Sequence, residues 1–284
     1  MSGILTAVQI VVLGEVSVVF NPMEAVFLRG CFLLIFVFGI SWKDGERYDW
    51  RDLLANILFG IFETCGVSLV VIAVGLISVS DVSAITFNKP IPVTILAWIF
   101  LGETFDWIDG TLSVINAVGL VLIAKTTVDS AEDQDLLSSL LGVICSLCGL
   151  LALSLLYIAA RVLAHRQNED PCLLMFLVGC VDTTISSLFL SMTSSWLQPK
   201  VLDELFMCIL LGGVSLATIY TCTRALKTEN AMFVSTAITL SIPTTYFYEI
   251  AFKGRIVNGA TVVGVCLTMI STFFLYLKTA VFSD

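Results

Sequence analysis

Charge is what this sequence has little of. Only 13% of its 284 residues are Asp, Glu, Lys or Arg, against about 25% in an ordinary globular domain. Histidine occurs once, as His165 in a connecting segment. With no paired intramembrane aspartates and no G-x-S-G serine motif, the chain does not read as an intramembrane enzyme. No N-x-S/T acceptor is present, so luminal N-glycosylation has no basis in the sequence. No basic stretch forms a nucleic-acid surface. A basic n-region and an A-x-A-like cleavage site are also missing before the first apolar run. That run therefore reads as a retained first span, starting so close to Met1 that the reading leaves no tail before it.

Apolar residues are abundant. They make up 58% of the chain and the mean hydropathy is +0.99; a soluble chain of this kind would expose large apolar patches and aggregate. The expected fold is an all-α polytopic membrane protein. The formal charge of −9 sits largely in the connecting stretches 42–52, 103–109 and 128–135, where solvated loops account for it. All nine cysteines fall within apolar segments. Cys145 and Cys148 form a C-x-x-C without a second pair or a flanking histidine, so they read as small packing residues, with no metal site and no cofactor implied.

Apolar runs of about 17–25 residues bounded by polar clusters mark transmembrane helices. Ten such runs occur, near 4–20, 24–41, 53–75, 79–101, 107–125, 137–160, 171–192, 204–226, 230–252 and 257–278. The acidic stretch 126–136 divides them into five and five: a first unit over 1–125 and a second over 137–284. "NPMEAVFLRGC" (21–31) matches "DPCLLMFLVGC" (170–180) at Pro22/Pro171, Phe27/Phe176, Leu28/Leu177, Gly30/Gly179 and Cys31/Cys180, at an offset of 149. Pro92 and Pro243 align at an offset of 151. Two ordered matches at nearly one offset indicate an internal duplication. Five spans per unit put the second unit in the membrane upside down, giving two inverted five-helix repeats with a site expected near the midplane between them. Lys43, Arg47, Arg51, Arg161, Arg166, Arg224, Lys227 and Lys278 fall on one side, and Lys125, Lys200, Lys253 and Arg255 on the other. That excess places both termini in the cytoplasm.

Ionisable groups in hydrocarbon are costly, about 2.5–3.5 kcal/mol on insertion scales, and usually face a partner or a wet cavity. Glu15, Glu63, Lys89, Asp182 and Glu249 lie inside expected spans. Arg29 and Arg224 sit near span ends, where snorkelling or an ion pair accommodates them. Lys89 is about ten residues, or roughly 15 Å, from either end of span 4, too far to snorkel. Two readings stand: a structural pair with Glu63, or a cation facing a cavity. Pro90 and Pro92 withhold backbone donors from the carbonyls of Thr86 and Asn88, so span 4 should kink or break beside Lys89, with Pro243 acting alike in span 9. The irregular backbone either lines a cavity or serves packing alone. A free helix N-terminus beside a lysine suits an anionic ligand, so Thr86, Asn88 and Lys89 are candidate binding residues together with Glu63. In span 9, Ser241, Thr245 and Glu249 recur every four residues with Tyr248 beside them. They are the matching candidates from the second unit, although such hydroxyls often bond only their own backbone. Glu63 and Asp182 are the candidate proton-coupling carboxylates.

At these residues the chain resembles a known family. "MEAVFLRG" and "SDVSAITFNKPIPVTILAWIFLGETFDWIDGTLSVINAVGLVLIAK" (80–125) are similar to the first repeat of the EamA-type drug/metabolite transporter superfamily, nearest to the G group of solute carrier family 35. "ALKTENAMFVSTAITLSIPTTYFYEIAFKGR" is similar to the second repeat. The resemblance implies ten helices in two inverted repeats, with a central cavity lined by spans 3, 4, 8 and 9. It also implies carriage of small polar metabolites, nucleotide sugars in better-known branches and organic anions for the G group. Glu24 and Arg29 match the acidic and arginine positions of span 2, and Glu103 the glutamate ending span 4. Two departures stand out. Phe252–Lys253–Gly254–Arg255 replaces Leu-Gly-Glu, so that turn should differ, and Lys89 replaces a small polar residue.

The expected function is secondary-active transport of a small polar anion by alternating access, either exchanged for a counter-substrate or coupled to a proton. The membrane is the ER, the Golgi or the plasma membrane. The alternative is a non-transporting scaffold or regulator of a partner, in which the buried charges are only structural pairs. Gly110, Gly119, Gly259 and Gly264 in spans 5 and 10 would support helix association, including a homodimer, under either reading.

Overall fold

The computed structural model describes residues 2–39, 50–102, 106–129, 136–164, 171–193, 202–228, 234, 238–239, 241–254 and 257–282. Lys43, Arg47, Glu103, Arg166, Lys200, Arg255, His165 and residues 130–135 of the acidic linker lie outside the described residues. Eleven helices are defined among the described residues: α1 (Ser2–Val19), α2 (Pro22–Gly39), α3 (Trp50–Leu76), α4 (Val79–Thr86), α5 (Pro90–Leu101), α6 (Trp107–Asp129), α7 (Leu136–Ala164), α8 (Pro171–Thr193), α9 (Leu202–Thr228), α10 (Ser241–Lys253) and α11 (Gly259–Phe282). α4 and α5 are the two halves of span 4. α6 continues to Asp129, so the first four residues expected in the linker are helical. Seven of the described helical spans are long and apolar enough to cross a membrane. The protein is an all-α polytopic membrane protein.

The helices are apolar outside, and their buried faces mix apolar residues with small and polar ones. On α6, Leu112, Asn116, Gly119, Ile123 and Thr126 are buried, while Val114, Val118 and Val121 point outward. An outward valine face is what lipid accepts, and small residues inward let backbones approach. α2 begins with a capping box: the Asn21 amide donates to Glu24 Oε2 (3.2 Å), and the Met23 amide donates to Asn21 Oδ1 (3.4 Å). Glu24 is thereby buried with a structural partner.

Spans from the two halves interleave. α2 crosses α8 antiparallel: a Cβ on Gly30 would lie 2.7 Å from Asp182 Cβ, and one on Gly179 would lie 3.2 Å from the Gly30 carbonyl oxygen. The glycines that match across the halves are therefore the ones that meet. α6 and α11 also run antiparallel. A Cβ on either Gly119 or Gly264 would sit 2.8 Å from the other's carbonyl oxygen. That crossing uses both glycines within one chain, while Gly259 has open space around its Cβ direction. Gly264→Val should therefore cost about 1–3 kcal/mol through overpacking, read as a lower melting temperature in detergent. Gly259→Ala should leave that temperature unchanged.

α3 packs on α7 and α1 on α9, and α4 packs on α10. Exchanging each span with its counterpart in the other half maps this set of contacts onto itself. α5 and α10 also end alike, on Gly102 (φ 67°) and Gly254 (φ 64°) in the left-handed region, which a residue with a Cβ enters only at a cost. The replacement of Leu-Gly-Glu by Lys-Gly-Arg thus leaves the glycine's own backbone alike, while residues 103–105 and 255–256, on which the expected difference of the turn falls, lie outside the described residues.

Candidate functional site

Span 4 is interrupted at Phe87–Lys89. α4 closes with Phe87 N donating to the Ser83 carbonyl (2.9 Å), and Asn88 N reaches the Ile85 carbonyl at 3.4 Å. α5 restarts with Pro90 in its first turn, where a missing N–H costs nothing. Lys89 stands at the N-cap with φ −68° and ψ −31°. The Asn116 amide nitrogen donates to Asn88 Oδ1 (2.7 Å) and ties the break to α6. Thr86 Oγ1 and Asn88 Nδ2 are buried without a partner, each at a cost of roughly 1–3 kcal/mol.

Lys89 is 5% exposed and lines a cleft of about 840 Å³, a volume that includes the open space at its mouth. Its ammonium lies 5.0 Å from the ring centre of Phe87 and 5.5 Å from that of Tyr157, within cation–π range. Among the described residues it forms no ion pair. The pairing with Glu63 is corrected: Arg29 holds that carboxylate instead, with Nη1 donating to Oε1 (2.9 Å) and Nη2 to Oε2 (2.6 Å).

Arg29 is fully buried, so of snorkelling and an ion pair the structure shows the ion pair. Its Nε donates to Asp182 Oδ2 (3.0 Å), and the Thr64 hydroxyl donates to Asp182 Oδ1 (2.6 Å). The two candidate proton-coupling carboxylates, Glu63 and Asp182, thus share one guanidinium. Glu63 also lines the cavity, and Asp182 does not.

Of the sequence-selected residues, the cavity brings together Lys89 and Glu63. Thr86 and Asn88 stay in the break behind them, fully buried. The span 9 stripe lies elsewhere. Glu249 accepts from the Ser80 amide (3.2 Å) and the Ser80 hydroxyl, Thr245 bonds Ser83, and the Tyr246 hydroxyl donates to Asp81 Oδ1 (3.0 Å). Ser241 donates to the Ile238 carbonyl. Tyr248 turns to the periphery, where its hydroxyl meets Glu15 (3.1 Å), itself paired with Lys253 (2.9 Å). Pro243 sits in the first turn of α10, with no described residue immediately before Ser241.

Residues not singled out from sequence complete the cavity. Gln9 comes from α1, Tyr157 from α7 and Cys222 from α9. Spans 1 and 6 thus join the expected spans 3, 4, 8 and 9 in the wall, span 9 through Ile238. The lining runs from Val70 and Lys89 at mid-depth towards Thr6, Phe59, Ala160 and Thr223, all near the face where α1 and α3 begin and α7 and α9 end. The α4–α10 hydrogen bonds lie at the opposite face. Among the described residues, a single fixed cation stands at the inner end of the cleft.

Fold and site define a polytopic helical membrane protein; its residues 1–125 match the EamA-like transporter family, and the likeness to solute carrier family 35 is borne out among known proteins. Solute carrier family 35 member G1 of Homo sapiens is 26% identical over 215 residues, covering 73% of this chain and 58% of that protein. Its Mus musculus counterpart is 24% identical over 221 residues, 76% and 59%. A probable transport protein of Saccharomyces cerevisiae is 29% identical over 209 residues, 63% and 58%. The chain spans about three fifths of the length of the curated relatives it matches. One solved crystal structure, 12% identical, superposes with a TM-score of 0.69 over 100% of this chain and 99% of the other, a likeness of fold alone.

Proposed function

We propose that the chain is a secondary-active transporter that carries a small organic anion by alternating access between two inverted five-helix repeats. The observation that carries this reading is Lys89, a buried ammonium that forms no ion pair among the described residues and stands at the inner end of a cleft. A cation there is costly unless something negative visits it. The relatives named as transporters support the same class. The antiparallel crossings of α2 with α8, α4 with α10 and α6 with α11 are those that inverted repeats require. The Lys and Arg distribution favours cytoplasmic termini, so the cavity faces the cytoplasm in this state. A homodimer, if formed across spans 5 and 10, uses their outward valine and phenylalanine faces, because Gly119 and Gly264 are spent on each other.

In this reading the α4–α10 hydrogen bonds seal the far side and must part in each cycle. Glu249 with Ser80 and Thr245 with Ser83 act as the latch, while the broken span 4 lets α4 tilt independently of α5. Ser83 and Thr245 touch through their side-chain oxygens, so Ser83→Cys with Thr245→Cys should form a disulfide on oxidation. Saturable uptake into proteoliposomes should then stop and return with dithiothreitol. Full uptake with the disulfide formed would refute alternating access through this face.

A further inference from the structure

Resting on that reading, we infer the cargo class: an organic monocarboxylate with an apolar body, rather than a nucleotide sugar or a polycarboxylate. Among the described residues, Lys89 is the one basic residue in the cavity wall, and Glu63 is the one acid. Glu63, Asp182 and Arg29 together carry one net negative charge, which Lys89 balances. A bound monoanion therefore leaves a single excess negative charge, which one proton on the carboxylate pair removes. A diphosphate or tricarboxylate would leave two or three in a low-dielectric site with no second cation to meet them, a burial that proteins avoid.

The rest of the wall sorts cargo in the same direction. Phe59, Val67, Val70, Leu153 and Leu156 surround the approach to Lys89. The polar groups of the described wall are few and point their donors locally: Thr218 and Thr223 donate to carbonyls of their own helix, and Gln9 donates to Ser215 (3.2 Å). The Tyr157 hydroxyl shares a contact with Cys222 (3.5 Å). A sugar ring entering here would exchange water for leucine and valine at most of its hydroxyls, which a site built to recognise sugars does not do. An aromatic or branched aliphatic frame buries its apolar surface against the same residues.

The test pairs binding with transport. Thermal stabilisation of the purified protein and proteoliposome uptake are measured for phenylpyruvate, 4-methyl-2-oxopentanoate, acetate, citrate and UDP-glucose. The two bulky monocarboxylates should stabilise the protein and enter saturably, at least tenfold better than acetate, citrate or UDP-glucose. If citrate or UDP-glucose equals or exceeds them, the cargo class is overturned while transport stands. If the monocarboxylates bind without uptake, the ligand class stands and the transport reading falls. If none binds or enters, both fall. Gln9→Lys supplies a second cation at similar side-chain length and serves where Lys89 variants fold poorly. It should raise dicarboxylate over monocarboxylate uptake at least tenfold, and an unchanged ratio would overturn the charge-matching argument.

Discussion

Lys89→Met should abolish anion uptake, lowering kcat/KM by about two orders of magnitude or more while the protein still folds. Removing one partner of a desolvated charge pair costs about 2–5 kcal/mol, and each 1.4 kcal/mol is tenfold. Methionine preserves the length and the contacts with Phe87 and Tyr157 but removes the ammonium. Folding should survive, because Lys89 forms no ion pair among the described residues and Arg29 still serves Glu63 and Asp182. Removal relieves the burial of an ammonium but leaves the carboxylate cluster one charge more negative, so the melting temperature of the unliganded variant should change little. Lys89→Arg keeps the charge but places a broader, flatter group between two rings, and should retain partial uptake with a higher KM. Normal uptake by Lys89→Met, measured in proteoliposomes at matched protein density, would remove Lys89 from the site.

The interruption of span 4 was legible in the sequence because its cause is local. Pro90 and Pro92 delete donors whatever surrounds them, and the helix duly restarts at Pro90. The depth of Lys89 was legible for a similar reason, since distance along a helix follows from residue count. Direction around the helix was not. Membrane helices carry apolar residues on all sides, so periodicity says little about which face meets which neighbour. Arg29 illustrates this: counting from the span's start allowed an escape to the interface. The α2–α8 crossing at Gly30 and Gly179 instead brings Asp182 against its guanidinium.

Span 9 failed by the same route in the opposite sense. The four-residue spacing of Ser241, Thr245 and Glu249 does define one buried face, but that face meets α4 rather than the cavity. A stripe of polar residues marks burial against something polar, and only packing tells whether that is a helix or a void. Tyr157 and Gln9 escaped notice because single polar residues in apolar spans are common. The duplication held a usable signal. If span 3 packs on span 6, its counterpart rule places span 8 on span 1, and both outer spans then reach the central space.

Arg29→Met should produce the largest loss of stability of any single substitution in the bundle, about 3–5 kcal/mol, because it strands two carboxylates in a dry interior. The guanidinium is fully buried and supplies donors to Glu63 and Asp182 together. With the arginine removed, those carboxylates repel each other across a crossing that Gly30 holds tight, and only Thr64 still donates to Asp182. The loss should appear as a strongly lowered melting temperature and poor recovery from detergent. Combining Arg29→Met with Glu63→Gln and Asp182→Asn removes all three charges and should recover most of that stability, since a neutral, hydrogen-bonded group is far cheaper to bury than an unpaired ion. Stability and transport should separate in this triple variant. Glu63 and Asp182 are the groups assigned the proton, so the triple variant should fold yet lose uptake driven by an inward acid gradient. Recovery of the fold together with full acid-driven uptake would assign the cluster to structure alone and move proton coupling elsewhere in the chain.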